Sequence, residues 1–448
     1  MSEYTSLTTK LGLIKGLDHG TYHSFLGIPF ATAGRFEYGK TIDRWEEPLD
    51  ATSFGPAVTQ YRTFQDHLDI PERRFYYNEF RQGIDFTYQE DSLNLNLFTP
   101  KNQTNCPVIV FIHGGGFNSG SCYDSAIQGD EYAKRGLVFV SIQYRVGPLG
   151  YFTHESLKKE YGREGNFGVD DQFLALTWVK THIADFGGDP DNITVMGQSA
   201  GAISIQLMCL SEKWKGLFRH AIMMSGAGAF PRFAQPRPAQ NTHEYWMDVM
   251  ATAGCKSFEE FKVLDVEKLF EAWEKVRSRR KDNTYNTMPV IDGYYLTDTV
   301  SNLIQHPLPV DYMVGYTNND MYAPILAHIS NRFSKENGAY LYYFDIDAPG
   351  DGNKAFHSAD IRYLFGTLSA SHRPYDRIDQ EVSHRMLDYV VNFATTGNPN
   401  LPKNTSLPDW SNQGKALHIT RDIKSWKHIR PSFFTLTRNW LKIGDPKV

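Results

Sequence analysis

ITVMGQSAGAISIQL, residues 193–207, is the stretch that decides the fold. Its first four residues are apolar or β-branched, which predicts a strand, and residues 202–210 follow a helical pattern. Between them lies Gly-Gln-Ser-Ala-Gly, whose glycines flank the hydroxyl of Ser199. A sharp turn of this composition between a strand and a helix lifts the serine clear of the backbone. The alternative is a glycine-rich turn with an idle serine, and only partner residues elsewhere in the chain can decide between the two.

Apolar, β-rich runs recur along the chain without strict alternation, which is typical of strands covered on both faces. Helical patterns lie between several of them, such as DQFLALTWVKTHIADF over Asp171–Phe186. This order predicts an α/β protein with a mostly parallel, twisted central sheet and helices on both faces. The predicted strands are Val108–Ile112, Val138–Ile142, Ile193–Met196, Ala221–Met224, Val310–Gly315 and Tyr340–Ile346.

No repeat or flexible linker divides the sequence, so we expect residues 1–448 to form a single domain. Two segments, roughly 60–90 and 230–300, are expected to leave the sheet and flank the site. The second contains DVEKLFEAWEKV, a helical pattern with one apolar face that Asp265 can cap. The first is rich in aromatic residues, which either line the entrance of the site or pack in the core. These residues are Phe64, Phe75, Tyr76, Tyr77, Phe80, Phe86 and Tyr88.

A serine hydroxyl is a poor nucleophile at neutral pH. It needs a base, an acid that orients the base, and donors for the developing oxyanion. VIVFIHGGGFNSG, from Val108 to Gly120, leads a predicted strand into three glycines whose N–H groups can approach a ligand closely. We assign the oxyanion donors to the N–H groups of Gly115, Gly116 and Ala200. A phosphate-binding loop is excluded because the sequence has neither of its glycine motifs. His113 is expected to shape this loop rather than to transfer protons.

The acid and the base are expected in the order serine, acid, histidine. Asp320 ends the segment YTNND, just after one predicted strand, and His357 follows the next strand in DAPGDGNKAFHSAD. Parallel sheets gather functional residues in the loops at the carboxyl ends of their strands. Of the six histidines beyond Asp320, only His357 directly follows a strand and a glycine-rich loop. We therefore predict Ser199 as nucleophile, His357 as base and Asp320 as acid.

These segments together resemble the type-B carboxylesterase family, which includes the cholinesterases, over nearly the whole chain. The resemblance implies an α/β-hydrolase fold like that of the smaller bacterial or fungal members. It implies the same roles for Ser199, His357 and Asp320, and the same oxyanion donors. The segments that carry it are FLGIPFA (25–31), EDSLNLNLFTP (90–100), FGGDPDNITVMGQSAG (186–201), GNFGVDDQ, MPVIDG, FHSADIRYLFG and TTGNPN, in matching order.

The sequence departs from the family pattern in three places. The acid is Asp320 where larger members usually have glutamate, and Met321 replaces the following glycine. Ser92 stands where many secreted members have a disulfide cysteine, which favours a reducing compartment. The short interval between the acid and the histidine implies that helices of the cholinesterase gorge are missing. Asp360 is the rival acid, because the family often has a buried supporting acid at that position.

The predicted function is that of a serine carboxylesterase that acts on a small-molecule ester through an acyl-enzyme. Short to medium acyl chains of about two to six carbons are expected, because no amphipathic membrane-docking segment is evident. The alternatives are a non-catalytic, cholinesterase-like adhesion module and a hydrolase of amides or carbonates. No metal ion or organic cofactor is expected.

The net charge of −5 gives no support to nucleic-acid binding. No apolar run approaches the ~20 residues of a membrane helix. The beginning of the sequence lacks the pattern of a signal peptide, so a cytoplasmic location with reduced thiols is expected. The sequence does not determine the oligomeric state.

Overall fold

The computed structural model describes residues 3–64, 66–226, 235–280, 287–320, 338–400, 410 and 415–429. The strands are β1 Glu3–Thr9, β2 Gly12–Asp18, β3 Tyr22–Pro29, β4 Ala31–Thr32, β5 Lys40–Thr41, β6 Leu49–Asp50, β7 Ala57–Val58, β8 Tyr88–Gln89, β9 Asn94–Pro100, β10 Cys106–Ile112, β11 Val138–Ile142, β12 Gly188–Gln198, β13 His220–Met224, β14 Asp311–Thr317, β15 Tyr340–Phe344, β16 Ala416–Ile419 and β17 Lys427–Ile429. The α-helices are α1 Tyr61–Phe64, α2 Pro71–Phe80, α3 Asp130–Lys134, α4 Gly147–Tyr151, α5 Glu155–Tyr161, α6 Phe167–His182, α7 Ala200–Cys209, α8 His243–Thr252, α9 Phe258–Lys262, α10 Val266–Arg279, α11 Val300–Leu303, α12 Ile361–Phe365 and α13 Arg377–Thr396.

One large sheet organises the described part of the chain. Its strand order is β1-β2-β3-β9-β11-β10-β12-β13-β14-β15-β16-β17, and β6 pairs with β2. The seven strands from β11 to β16 along this order are parallel, whereas β1, β2, β3 and β9 pair in antiparallel fashion. The predicted α/β class with a mostly parallel sheet is confirmed.

Both faces of the sheet are covered, as the uninterrupted apolar runs predict. Side chains of β10 alternate between two buried clusters, because successive residues of a strand point to opposite faces. Val108, Val110 and Ile112 pack with residues of α6, α7 and α10. Ile109 and Phe111 pack on the other face with residues of α12 and α13.

The predicted elements differ from the observed ones mainly at their ends. The predicted strand Ile193–Met196 extends over Gly188–Gln198, because Cys106 of β10 pairs with Gly188 across a bulge. The predicted helix Asp171–Phe186 begins earlier, at Phe167, and its last four residues form a 3₁₀ turn.

The helix in the second flanking segment forms as its apolar face predicts. In α10, Leu269, Phe270, Trp273 and Val276 are buried. The Asp265 side chain accepts a hydrogen bond from the backbone N–H of Lys268 at 3.2 Å, which caps the helix as expected.

Among the described residues, none of the helices is both long and apolar enough to cross a membrane. All four cysteines lie in the described ranges, and each is a free thiol. The single-domain organisation and the location in the cell stay predictions.

Candidate active site

Ser199 lies at a sharp turn between β12 and α7. Its backbone angles are φ 54° and ψ −119°, a conformation that a residue with a side chain rarely adopts. Its N–H donates to the carbonyl of Met224 at 2.8 Å, which ties the turn to β13. A Cβ at Gly201 would lie 2.0 Å from the carbonyl oxygen of Ile112, so helix α7 can pass this close to β10 only with glycine there. The small residues around Ser199 therefore permit the turn that exposes its hydroxyl.

The glycine loop follows β10 and packs directly against this turn. A Cβ at Gly114 would lie 2.6 Å from Gln198 Oε1 and 3.1 Å from Ser199 Cβ, so only glycine allows the contact. Gly115 and Gly116 both have positive φ, at 104° and 61°. Among the described residues, the N–H groups of Gly115, Gly116 and Ala200 donate no hydrogen bond to another protein group. These donors are therefore available to an oxyanion.

The predicted acid and base are in direct contact. His357 Nδ1 and Asp320 Oδ1 are 2.6 Å apart, and both side chains are almost fully buried. The contact forms because β14 and β15 are parallel neighbours, so their carboxyl ends reach the same edge of the sheet. Beyond that edge, the N–H of Asn319 donates to the carbonyl of Ala355 at 2.9 Å, which holds the two loops together.

The electrostatics of His357 depend on Asp320. Burial opposes protonation of the imidazole, but the charge of Asp320, its hydrogen bond and the charge of Asp360 outweigh burial. The pKa of His357 is therefore raised above its ordinary value of 6.5. An imidazole with a raised pKa is suited to accept a proton and then to hold it.

Asp360, the rival acid, forms no hydrogen bond and no ion pair with His357. Its Oδ2 accepts a hydrogen bond from the Tyr342 hydroxyl at 2.7 Å, and the residue is fully buried. Burial raises the pKa of Asp360 to about 6. The structure thus brings Asp320, rather than Asp360, into hydrogen-bond distance of His357, and the role of Asp320 as the acid stays a prediction.

Two polar residues that the sequence reasoning missed lie beside the base. Gln198 Nε2 is 3.2 Å from His357 Nε2 and donates to Ser358 Oγ at 2.8 Å. Each is a chain neighbour of a predicted site residue, so position alone could have suggested them. Among the described residues, no hydrogen bond joins Ser199 Oγ to His357 Nε2, and Gln198 occupies that nitrogen instead.

His113 packs inside the glycine loop that it is expected to shape. It is buried, its ring stacks on Tyr144 with centroids 4.3 Å apart, and Nδ1 is 2.8 Å from the carbonyl of Gly114. Burial lowers the pKa of His113 to about 4.

A cavity of about 280 Å³ contains the predicted site, and we call it the inner cavity. Ser199 and His357 line it together with Gly114, Gly115 and Gly116. Apolar side chains form much of the remaining wall, namely Phe80, Phe111, Ile127 and Ile361. Two polar residues absent from the sequence-based site, Arg62 and Asp124, also line this cavity.

The aromatic segment 60–90 combines the two arrangements that the sequence left open. Tyr76 and Phe80 line the inner cavity, whereas Phe86 packs on Tyr123, with ring centroids 4.9 Å apart. Phe64 packs on Phe270 of α10, with centroids 5.5 Å apart. Within the described ranges, no three or more His, Cys, Asp or Glu side chains are grouped so that they could hold a metal ion.

Comparison with known proteins agrees with this geometry. The model of the carboxylesterase family matches residues 3–331 and 321–433. The chain belongs to the carboxylesterase family. The predicted family and α/β-hydrolase fold are confirmed, and the match supports carboxylic ester hydrolysis as the activity of this carboxylesterase.

Its relatives include mammalian and bacterial enzymes. The chain is 28% identical to the bile salt-activated lipase of Mus musculus, over 95% of this chain and 84% of that protein. It is 28% identical to the para-nitrobenzyl esterase of Bacillus subtilis, over 88% of this chain and 90% of that protein. A solved PNB esterase structure superposes with a TM-score of 0.80 at 24% identity, covering 97% of this chain and 99% of that one.

Proposed function

We propose that this carboxylesterase hydrolyses esters of short to medium carboxylic acids, with Ser199, His357 and Asp320 as its catalytic triad. The observation that carries the proposal is the 2.6 Å contact between His357 Nδ1 and Asp320 Oδ1 in the wall of the cavity that exposes Ser199. This contact fixes the imidazole tautomer, since Nδ1–H faces the carboxylate and Nε2 is left as the acceptor.

The first half of the reaction forms an acyl-enzyme. Ser199 Oγ attacks the ester carbonyl and His357 Nε2 takes the hydroxyl proton. The N–H groups of Gly115, Gly116 and Ala200 donate to the oxyanion of the tetrahedral intermediate. The imidazolium then protonates the departing alcohol. Because Gln198 faces Nε2 in the free protein, we propose that the imidazole exchanges this contact for Ser199 when substrate binds.

The second half releases the acid. A water molecule gives its proton to His357 Nε2 and attacks the acyl carbonyl, the oxyanion returns to the same N–H groups, and Ser199 leaves with a proton. Asp320 holds the imidazolium in place throughout.

The acyl preference is supported by the apolar wall of the inner cavity. Its volume of about 280 Å³ is bounded on the apolar side by Phe80, Phe111, Ile127 and Ile361. A short alkyl chain can pack among these side chains beside Ser199.

We expect kcat/KM for 4-nitrophenyl esters to be highest for acyl chains of about two to six carbons and to fall toward palmitate, because the apolar side chains of the inner cavity cover a short alkyl chain. Ser199→Ala is the control, and it should lose about 10⁴-fold or more in turnover while keeping its fold. A maximum at twelve carbons or longer would contradict the acyl preference. Normal hydrolysis by a folded Ser199→Ala would contradict the assignment of the nucleophile.

Two other activities are distinguished by the same assay. A non-catalytic adhesion module would hydrolyse none of the esters. A hydrolase tuned to amides or carbonates would act faster on the 4-nitroanilide or the carbonate than on the ester of the same acyl group.

A further inference from the structure

A second cavity, which we call the outer cavity, adjoins the inner one and has a volume of about 220 Å³. The two cavities share the lining residues Arg62, Tyr76 and Ser119. The outer cavity is strongly basic for its size, because it is lined by four arginines but only two acids. The arginines are Arg62, Arg73, Arg81 and Arg277, and the acids are Asp66 and Glu72.

Two of the four arginines are neutralised by acids. Arg81 forms an ion pair with Asp66 and donates to the Tyr88 hydroxyl at 2.7 Å. Arg277 donates to both carboxylate oxygens of Glu274, at 2.8 and 2.9 Å. The charges of these two guanidinium groups are therefore balanced by acids of the protein itself.

Arg62 is different, because none of the described residues pairs with its charge. It is half-buried, and among the described residues it forms no hydrogen bond and no ion pair within 4 Å. Burial lowers the pKa of the Arg62 guanidinium, and the charges of Asp124 and Asp66 only partly offset this effect. A desolvated cation without a partner is costly for a protein to keep unless a ligand supplies the counter-charge.

Arg73 strengthens the positive charge at the same place. Its guanidinium stacks over the ring of Tyr61, 4.5 Å from the centroid, and its Nη1 is buried without a hydrogen-bond partner. Glu72, the acid of this cavity that is not held by Arg81, is exposed at the rim. Arg62 and Arg73 thus both line the outer cavity, and the described residues leave donors of both guanidinium groups without a hydrogen-bond partner.

We propose that the outer cavity binds a carboxylate carried by the ester substrate, and that Arg62 is the residue that binds it. This inference rests on the proposed esterase function. A guanidinium presents two parallel N–H groups that match the two oxygens of a carboxylate. Because Arg62 lines both cavities, it can hold the charged end of a substrate whose ester lies at Ser199. The preferred substrates are therefore esters with a carboxylate remote from the reacting carbonyl.

The carboxylate can belong to the acid or to the alcohol part of the ester, and two matched pairs distinguish these sources. Monomethyl adipate against methyl hexanoate places the charge on the acyl side. 4-Acetoxybutanoate against butyl acetate places the charge on the alcohol side. Hydrolysis of all four is followed by proton release at pH 8. We expect the charged member of one pair to have a kcat/KM at least 10-fold above its neutral partner, and this ratio to fall as salt is added.

The variant Arg62→Gln tests whether Arg62 binds the carboxylate of the substrate. It should lower the ratio of charged to neutral kcat/KM by about 10- to 100-fold, the range expected for a hydrogen bond to a charged group. Arg62→Lys should retain part of the preference, because lysine keeps the positive charge but lacks the two parallel N–H groups of the guanidinium. The matched control is Arg74→Gln, an exposed arginine of α2 that lines neither cavity and should leave the ratio unchanged.

The possible results separate the two proposals. Equal rates for charged and neutral esters in both pairs, or a ratio that Arg62→Gln leaves intact, would overturn the carboxylate site and leave the esterase function standing. Failure of the wild-type protein to hydrolyse any of the four esters would overturn both. If Arg62→Gln does not fold, the Arg62→Lys ratio and its dependence on salt decide the question.

Discussion

Asp320 is the residue whose replacement discriminates best between the two candidate acids. Asp320→Asn should keep the fold but lower turnover by roughly 10²- to 10⁴-fold, because an amide favours the wrong imidazole tautomer and cannot stabilise the imidazolium. The charge and the hydrogen bond of Asp320 raise the pKa of His357. His357 must be neutral to accept the serine proton, so wild-type activity is lost as the pH falls through this raised pKa. The variant should therefore keep its residual activity to lower pH, which a pH profile of kcat/KM measures.

Asp360→Asn is the matched comparison. Asp360 lies against Tyr342 rather than His357, so its amide should reduce turnover far less. The acid limb of the profile should also move less, because the charge of Asp360 is the smallest of the effects that raise the pKa of His357. Full activity in Asp320→Asn together with collapse in Asp360→Asn would reverse the two roles.

At the scale of single elements, helix α10 depends on its cap. Asp265→Ala removes the acceptor for the N–H of Lys268 and should lower the free energy of unfolding by about 1 kcal/mol. The matched control is Glu267→Ala, an exposed acid in the same first turn that makes no capping hydrogen bond. Denaturant unfolding of both variants checks this prediction, and equal loss in the two would show that charge in the first turn, rather than the cap, is what matters.

The core of the fold could be predicted from the sequence, because strand β10 and its parallel neighbours are continuous apolar runs. The ends of these strands could not be predicted, because they depend on which residues pair with the neighbouring strand. The predicted strand begins at Ile193, yet β12 begins at Gly188 because that residue pairs with Cys106.

The same limit applies to the site. Ser199, His357 and Asp320 stand at the ends of strands, where chain order suggests a role. Gln198 is recognisable only by its distance to His357, and Arg62 only because the folded chain places it in the wall of the inner cavity. Whether Arg62 has an acid beside it depends on its surroundings in the folded chain, and the spacing of residues in the sequence does not reveal these surroundings.

At the scale of the molecule, Arg373 connects the first flanking segment to the loop of the base. It pairs with the buried Glu79 of α2 at 2.8 Å and with Asp351 at 2.8 Å, and it donates to the carbonyl of Pro349 at 2.9 Å. Phe75 of α2 also packs on Phe356, next to His357, with ring centroids 4.9 Å apart. These contacts hold helix α2 against the loop that carries His357.

Arg373→Gln should cost about 3–5 kcal/mol, because it leaves the carboxylate of Glu79 buried with little counter-charge. The double variant Glu79→Gln/Arg373→Gln should recover part of the lost free energy of unfolding, since the buried carboxylate is then absent as well. Thermal unfolding measures both, with Arg377→Gln, an exposed arginine at the start of α13, as the control. A double variant no more stable than the single one would show that the stranded charge is not the cause.

The left-handed backbone of Ser199 has a consequence for the evolution of this chain. A non-glycine residue in such a conformation costs of order 1–3 kcal/mol, which glycine would largely recover. Selection for a durable protein alone would favour glycine at position 199, so only selection for turnover can retain the serine. If Ser199 is the nucleophile that we propose, a lineage freed from its catalytic role would gain thermal stability by replacing this serine, and position 199 would be among the first to change.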